Sequence, residues 1–204
     1  MAGDGLRDDP LRIEDASAMR ALAHPLKWTL MDVLLTEGTA TSTRCAEVTG
    51  ESQATCSFHL RQLARYGLVE EAPRTSRKER PWRLATVEQS WSRVQPDQAR
   101  TEAVTELERV FVQHELATLM RWIRTAPAYG EDWQRASMRA GAIAWVTADE
   151  LAALRDQIEA LMLTYRDRVT DPAQRPAGSR LVRLFSAAYP LPEDGRGTSG
   201  ERAR

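Results

Sequence analysis

Residues 52–66 predict a helix with apolar side chains on one face and mainly hydrogen-bonding side chains on the other, as in a helix that contacts a ligand. At 100° per residue, Cys56, Leu60 and Leu63 lie on one side of such a helix, with His59 at its edge. We expect that apolar side to pack on other helices. The remaining side chains should face outward or lie in the first turn, and they are Ser52, Gln53, Ala54, Thr55, Ser57, Phe58, Arg61 and Gln62.

The outward side chains match the chemistry of a DNA duplex. Glutamine can hydrogen-bond to adenine, arginine can hydrogen-bond to guanine, and Phe58 can pack on a thymine methyl group. Ser52, Thr55 and Ser57 have the size for phosphate contacts, helped by the helix N-terminus. The alternative is that Phe58 tucks against a neighbouring hairpin and that Arg61 is only solvated. We favour major-groove contact, because an exposed phenylalanine on a soluble domain otherwise needs an explanation.

The charge around this helix supports the same interpretation. The whole chain has a net charge of −1, whereas residues 52–83 contain seven basic and three acidic residues, a local excess of +4. Arg74, Arg77, Lys78 and Arg80 cluster at the tip of a predicted hairpin, where they could reach phosphates or a narrow minor groove. A solvated loop is the alternative, but two adjacent elements share the excess.

Caps and helix breakers predict the elements that position these side chains. His24-Pro25 should end a first helix, because a residue before proline avoids the α conformation, and a second helix should follow the proline. Thr41 or Ser42 can cap a third helix and Ser52 a fourth. Short strands should flank the basic loop at 68–71 and 82–85. The order of helix, helix, helix-turn-helix and hairpin is the plan of a winged helix.

Three segments in this order resemble the ArsR-type winged helix-turn-helix transcriptional regulators: Ala21–Trp28, Ser52–Leu63 and Gly67–Glu70. The resemblance covers about residues 16–88, and its Leu-Ala-His-Pro and Ser-Xaa-His-Leu elements are fairly specific. It implies a homodimer that binds a palindromic operator, most often as a repressor released by a signal. It also implies that the helix from Ser52 to Leu63 is the recognition helix.

The sequence departs from the metal-sensing members of that family. Those members carry a Cys-Xaa-Cys pair near the turn or a His, Asp and Glu set on the dimer helix, whereas Cys45 and Cys56 are eleven residues apart. His114 has Glu115 beside it but no further ligand one turn away. A site from Cys45, Cys56 and His59 is conceivable, but we interpret both cysteines as buried small hydrophobes and expect no metal and no cofactor.

The second half begins with a long predicted helix from Asp97 to about Thr125. Family members commonly dimerise through a helix directly after the hairpin, so we expect this helix to form the homodimer rather than pack on its own chain. Its drifting apolar stripe contains Val104, Leu107, Phe111, Leu116, Leu119 and Ile123.

The rest of the second half predicts a small α+β domain. Residues 138–146 and 180–189 read as strands, although Ala140 to Ala144 could also be helical. Thr147 to Glu150 forms a capping box that opens a helix between them. Aromatic side chains there could line an apolar pocket for an unidentified small-molecule effector, although we favour a small hydrophobic core. These side chains are Trp122, Trp133, Trp145, Tyr165, Phe185 and Tyr189.

Composition limits the compartment and the chemistry of the chain. Its 204 residues contain only two cysteines, too few for a disulfide framework, so we expect a reducing environment. No apolar run approaches the roughly 18 residues of a membrane span, and the acidic, polar residues 1–10 do not read as a signal peptide. We therefore expect a cytoplasmic protein with no membrane partner. The absence of phosphate-loop, Gly-Xaa-Ser-Xaa-Gly and His-Glu-Xaa-Xaa-His motifs disfavours an enzyme.

The expected fold is mainly α with a small β component. It comprises a disordered tail at 1–15, a winged helix-turn-helix domain at 16–90, a dimerisation and effector domain at 91–192, and a disordered tail at 193–204. The expected function is sequence-specific binding of double-stranded DNA by a homodimeric transcriptional regulator, a repressor by resemblance. Two alternatives stay open: a ligand- or metal-responsive sensor, and a winged-helix protein-interaction module that does not bind DNA.

Overall fold

The computed structural model describes residues 11–73 and 80–191. These residues form two compact units that divide between Met138 and Arg139. The fold is mainly α with a small β component, as the sequence predicts. The elements of the first unit are β1 (Leu11–Arg12), α1 (Ala16–Leu22), α2 (Pro25–Glu37), β2 (Ala40–Thr41), α3 (Ser42–Thr49), α4 (Gln53–Arg65), β3 (Val69–Glu71), β4 (Pro81–Leu84), β5 (Gln89–Ser90), α5 (Gln98–Thr125) and α6 (Glu131–Ala136).

Local signals set the helix ends of the first unit. His24 caps α2, because its Nδ1 accepts a hydrogen bond from the Leu26 amide at 3.3 Å, and Pro25 occupies the first turn. Thr41, rather than Ser42, caps α3 through a 3.1 Å hydrogen bond from the Arg44 amide. These caps and breakers fall where the sequence predicts them.

The small sheet has the antiparallel order β2-β4-β3. Val69 pairs with Leu84 and Glu71 with Trp82, so β3 and β4 form the predicted hairpin, while β2 adds a short third strand through the pairing of Ala40 with Trp82. The helix-turn-helix and the hairpin thus occur in winged-helix order.

One core joins helices α1 to α5 to the hairpin. α5 packs mainly on α1 and also on α2, which is why the compact unit extends past residue 90, where the sequence analysis ended the first domain. Trp28 of α2 contacts Phe111 of α5 with ring centroids 5.0 Å apart. The most deeply buried apolar side chains are those of Met19, Leu22, Leu30, Leu34, Leu60, Leu63, Leu68, Val104 and Leu107.

Residues 11–15, predicted to belong to a disordered tail, are part of the folded first unit. Leu11 and Arg12 form β1, which pairs in parallel with β5, and Ile13 is buried in the core. Asp15 caps α1 by accepting hydrogen bonds from the amides of Ser17 and Ala18. The tail prediction is therefore wrong for residues 11–15, because distant backbone groups at 88–90 satisfy this segment. Residues 1–10 and 192–204 lie outside the described residues.

The described part of the second unit contains two α-helices, α7 (Ala148–Met162) and α8 (Asp167–Thr170). The predicted capping box is present, since Thr147 accepts from the Glu150 amide and Glu150 accepts from the Thr147 amide. The two predicted strands are wrong: the described residues at 138–146 and 180–189 have no regular secondary structure. A strand needs a paired neighbour to satisfy its backbone, and neither segment pairs with the other.

None of the described helices combines the length and apolarity needed to cross a bilayer.

Candidate nucleic-acid interface

The turn between α3 and α4 fixes the angle at which α4 is presented. Gly50 ends α3 in the left-handed conformation at φ 75°, which a residue with a Cβ adopts only at a cost. Ser52 then caps α4 by accepting a 3.0 Å hydrogen bond from the Thr55 amide. The short turn and the two caps hold the helices as one helix-turn-helix unit.

The inner face of α4 is the one that the periodicity predicts. Cys56, Leu60 and Leu63 are buried in the core, and His59 lies at its edge with 8% of its surface exposed. Thr49 of α3 contacts the Cys56 sulfur at 3.6 Å, which ties the two helices together. Because this face is fully engaged, the opposite face of α4 points away from the core.

The outer face of α4 exposes the aromatic and basic side chains predicted to contact DNA. Ala54 and Arg61 are exposed, and Phe58 keeps 50% of its surface open to solvent. The Phe58 ring meets the His59 ring edge-on, with centroids 5.3 Å apart. A half-exposed phenylalanine costs the isolated protein free energy, because its apolar surface stays in water.

Polar side chains on α4 are held by hydrogen bonds that a ligand could replace. Arg61 donates to the Ser57 hydroxyl at 3.2 Å, and the Gln53 amide donates to the Ser42 hydroxyl at 3.1 Å. The Ser52 and Thr55 hydroxyls lie 2.8 Å apart. These contacts pre-position the first two turns of the helix without burying them.

Gln62 differs from the role that the sequence predicts for it. Its amide oxygen accepts a 2.6 Å hydrogen bond from the Lys27 ammonium, and the residue is only partly exposed. Reading a base with both amide groups would break this contact. Gln62 therefore links α4 to α2, and its oxygen is committed inside the protein.

The hairpin strands carry ion pairs that localise the positive charge. Arg83 pairs with Glu70 at 2.8 Å, and Arg80 with Glu71 at 3.6 Å. These two pairs match two basic with two acidic residues. The excess of +4 between residues 52 and 83 therefore belongs to α4 and to residues 74–79 of the sequence. The predicted tip residues Arg74, Arg77 and Lys78 lie outside the described residues.

A cleft of about 530 Å³ lies between α4, the start of α3 and the hairpin. It brings Arg61 and Ser57 of α4 beside Arg80. The lining also includes the hydroxyl residues Thr41, Ser42 and Thr43, which the sequence analysis did not assign to the interface. The sequence could have predicted this role, because three consecutive hydroxyl residues at the start of a helix suit an anionic ligand.

The two cysteines are buried in the helix-turn-helix unit. Burial raises the pKa of the Cys45 thiol to about 11, which disfavours the thiolate that metal binding or redox chemistry requires. Within the described ranges, no group of three metal-ligating side chains comes together.

The predicted dimerisation stripe on α5 has a buried N-terminal part and an exposed C-terminal part. Val104 and Leu107 are buried against their own chain, which corrects their assignment to the dimer interface, and Phe111 packs on Trp28. Leu116, Leu119 and Ile123 are exposed, together with two residues that the prediction omitted. The exposed stripe comprises Val112, Leu116, Leu119, Met120 and Ile123, each with 38 to 52% of its surface open.

The described residues of the second unit do not form the predicted effector pocket. Trp145, Tyr165, Phe185 and Tyr189 are all exposed, and the Trp145 side chain is fully open to solvent. They therefore form neither the expected pocket nor the expected small core. Trp122 and Trp133 belong to the first unit, where both are partly exposed.

No family model and no curated protein matches the chain. Among solved structures, a double mutant of ZitR from Lactococcus lactis aligns with a TM-score of 0.29 and 16% identity, over 69% of this chain and 73% of that chain. The apo form of that mutant aligns with a TM-score of 0.30 and 17% identity, over 71% of this chain and 83% of that chain. A single mutant of ZitR aligns with a TM-score of 0.30 and 16% identity, over 69% of this chain and 73% of that chain. At such low scores the functional proposal rests on the geometry of this chain.

Proposed function

We propose that this protein is a sequence-specific DNA-binding transcriptional regulator. The observation that carries the proposal is the outer face of α4, where Phe58 and Arg61 stand exposed opposite a fully packed inner face. An α-helix fits the major groove of B-form DNA, and only there does each base pair present a distinct pattern of donors, acceptors and methyl groups.

Each part of the interface has a role in this proposal. Arg61 reads a guanine edge, Phe58 packs on a thymine methyl group, and Gln53 and Ala54 contact bases near the helix start. Ser52, Thr55 and Ser57 bind phosphates around the N-terminus of α4. The basic residues Arg74, Arg77, Lys78 and Arg80 bind the backbone or a narrow minor groove.

The first experiment selects bound sequences from a random duplex library and then titrates the recovered DNA by fluorescence anisotropy. Affinity should fall steeply between about 50 and 200 mM salt, because phosphate contacts release counterions. Arg61→Ala should weaken the selected site by about 10- to 100-fold and relax its sequence preference at one position. Arg77→Ala should weaken all sequences alike and flatten the salt slope by about one unit.

The matched control is Arg155→Ala, which removes an exposed, ion-paired arginine from the second unit. It should leave affinity and salt slope unchanged. Failure of any sequence to enrich would overturn the proposal of specific binding. A protein partner bound without salt dependence, together with no DNA binding, would identify a protein-interaction module instead.

We also propose that two copies associate through the exposed stripe of α5. Val112, Leu116, Leu119 and Ile123 follow one another at intervals of four, three and four, and Met120 lies beside Leu119. They form one face of a 28-residue helix that continues beyond the part packed on α1 and α2. Self-association through one patch gives two-fold symmetry, and a two-fold dimer matches a palindromic operator. Half-sites centred about 34–36 Å apart are expected.

Regulation as a repressor is the remaining part of the proposal. A dimer that occupies a palindrome within a promoter excludes polymerase, and release follows when a signal lowers its affinity for DNA. A reporter carrying the selected palindrome should show lower expression with the intact protein than with Arg61→Ala. Higher expression with the intact protein would identify an activator.

A further inference from the structure

The first unit contains a second cleft, of about 560 Å³, between α1, the start of α2 and the C-terminal half of α4. We call it the His24 cleft, because His24 and His59 line it with their rings 4.4 Å apart. Arg20 and Arg65 also line it. No carboxylate contributes to its lining among the residues that the structure describes.

A buried ammonium group lies in this cleft, and no described carboxylate pairs with it. Lys27 is 2% exposed, and its Nζ donates to the Ala21 carbonyl oxygen at 2.5 Å and to the Gln62 amide oxygen at 2.6 Å. Both acceptors are neutral, and an ammonium group has three donors. Burying a charge without a counter-charge is costly, so the site favours a ligand that brings a negative charge.

A second buried polar atom in the cleft has no partner. His59 is more than nine-tenths buried, and its Nδ1 makes no hydrogen bond in the described structure. Burial, together with the nearby His24 and Lys27, lowers the His59 pKa, so the ring is neutral at pH 7. A neutral imidazole can donate one hydrogen bond from whichever nitrogen carries the proton.

The surface of the cleft sets the type of anion. Half-exposed Phe58 and partly exposed Tyr66 lie on the lining beside the two imidazoles, so one side is aromatic. Arg20 and Arg65, which are exposed, add positive charge at the rim. An oxyanion attached to a planar organic group would satisfy both the charged and the aromatic parts.

We propose that the His24 cleft binds an oxyanion, a phosphate or carboxylate group, in contact with the Lys27 ammonium and the His59 imidazole. Two sources share this chemistry: a phosphodiester of DNA bound along α4, and a free small aromatic anion. The DNA source rests on the proposed function, whereas the free anion does not.

The experiment uses imidazole NMR on the intact chain, which has only three histidines. Inorganic phosphate and phenyl phosphate are titrated while the ring nitrogens of His24, His59 and His114 are followed. His114, paired with Asp32 at 2.8 Å outside the cleft, serves as the internal reference. The expected result is saturable shifts at His24 and His59 only, with tighter binding of phenyl phosphate.

Two variants, one at a buried residue and one at an exposed residue, distinguish a loss of anion binding from a loss of folding. Lys27→Met should weaken anion binding by about tenfold or more, the loss expected for a hydrogen bond to a charged group. Arg20→Ala changes an exposed rim residue and should weaken binding severalfold with little change in melting temperature, since it removes one long, exposed hydrogen bond to the Ala99 carbonyl oxygen. Equal shifts at all three histidines, or unaltered affinity in both variants, would show nonspecific binding and overturn the proposal.

Duplex DNA separates the two sources. If selected DNA shifts the two rings, phenyl phosphate competes, and Lys27→Met flattens the salt slope by about one unit, a phosphodiester occupies the cleft. If phenyl phosphate binds but DNA leaves the rings unchanged, the ligand is a free anion. If DNA binds by anisotropy and neither DNA nor free anion moves the rings, this inference fails while the proposed function stands.

Discussion

Lys27 allows the cost of its burial to be measured as a pH-dependent difference in stability. Burial lowers the pKa of its ammonium group from 10.5 to about 8. Below pH 8 the folded and unfolded chains both carry the proton, and the folded state bears the full cost of the buried charge. Between pH 8 and 10.5 the unfolded chain holds more protons, so stability rises with pH. Above 10.5 both states are neutral and the cost disappears.

The perturbation is Lys27→Met, which keeps the length and apolar stem of the side chain and removes the titration. Since one pKa unit corresponds to about 1.4 kcal/mol, the wild type should gain about 2 kcal/mol relative to the variant between pH 7 and pH 10. Other groups titrate in both proteins and largely cancel. The loss of the hydrogen bonds to Ala21 and Gln62 adds an offset that does not depend on the pKa.

The assay is urea denaturation of both proteins at several pH values, in buffers without phosphate or carboxylate, since an anion beside the amine would raise its pKa. The chain has two lysines, so NMR of the Cε methylene groups can follow Lys27 directly. A difference that stays constant within about 0.5 kcal/mol, with no lysine titrating near pH 8, would refute the reasoning and mean that the ammonium is solvated or paired.

Three further predictions concern stability and assembly. Ser52→Ala should lower the free energy of unfolding by about 1 kcal/mol through loss of the α4 cap, measured by urea denaturation, whereas Ser52→Asp should retain the cap. Leu60→Ala should cost about 2–5 kcal/mol, because the side chain is fully buried, and a loss below 1 kcal/mol would contradict the packing. Leu119→Glu should shift the protein from dimer to monomer in analytical ultracentrifugation with little change in helix content. Glu106→Gln on the same helix is the control and should remain dimeric. If Leu119→Glu is dimeric as well, the proposal that the exposed stripe forms the dimer is wrong.

The helix-turn-helix could be predicted because its signals are local. Ser52 and Gly50 mark helix ends through interactions within a few residues, and the spacing of Cys56, Leu60 and Leu63 gives the buried face of α4 directly. The same reasoning holds for the capping box of α7. A short stretch of sequence contains everything that such features require.

Other features depend on partners distant in the chain, and there sequence reasoning was incomplete. The stripe on α5 is continuous, so its periodicity could not show that Val104 faces its own chain while Leu119 faces solvent. The burial of Lys27 depends on α1 and α4 closing over it, which no local pattern reports. The strand prediction at 138–146 was wrong because an apolar segment does not by itself supply a strand to pair with.

The parallel pairing of residues 11–13 with 88–90 delays the folding of the N-terminal segment during synthesis on the ribosome. The Leu11 amide donates to the Glu88 carbonyl at 2.9 Å, and the Ile13 amide donates to the Ser90 carbonyl at 2.8 Å. During synthesis the N-terminal segment must therefore wait for nearly eighty further residues, about 4–16 s at 5–20 residues per second. Helices α1 to α4 can form before then, but the pairing of β1 with β5 closes only after Ser90 has been made, shortly before α5 begins.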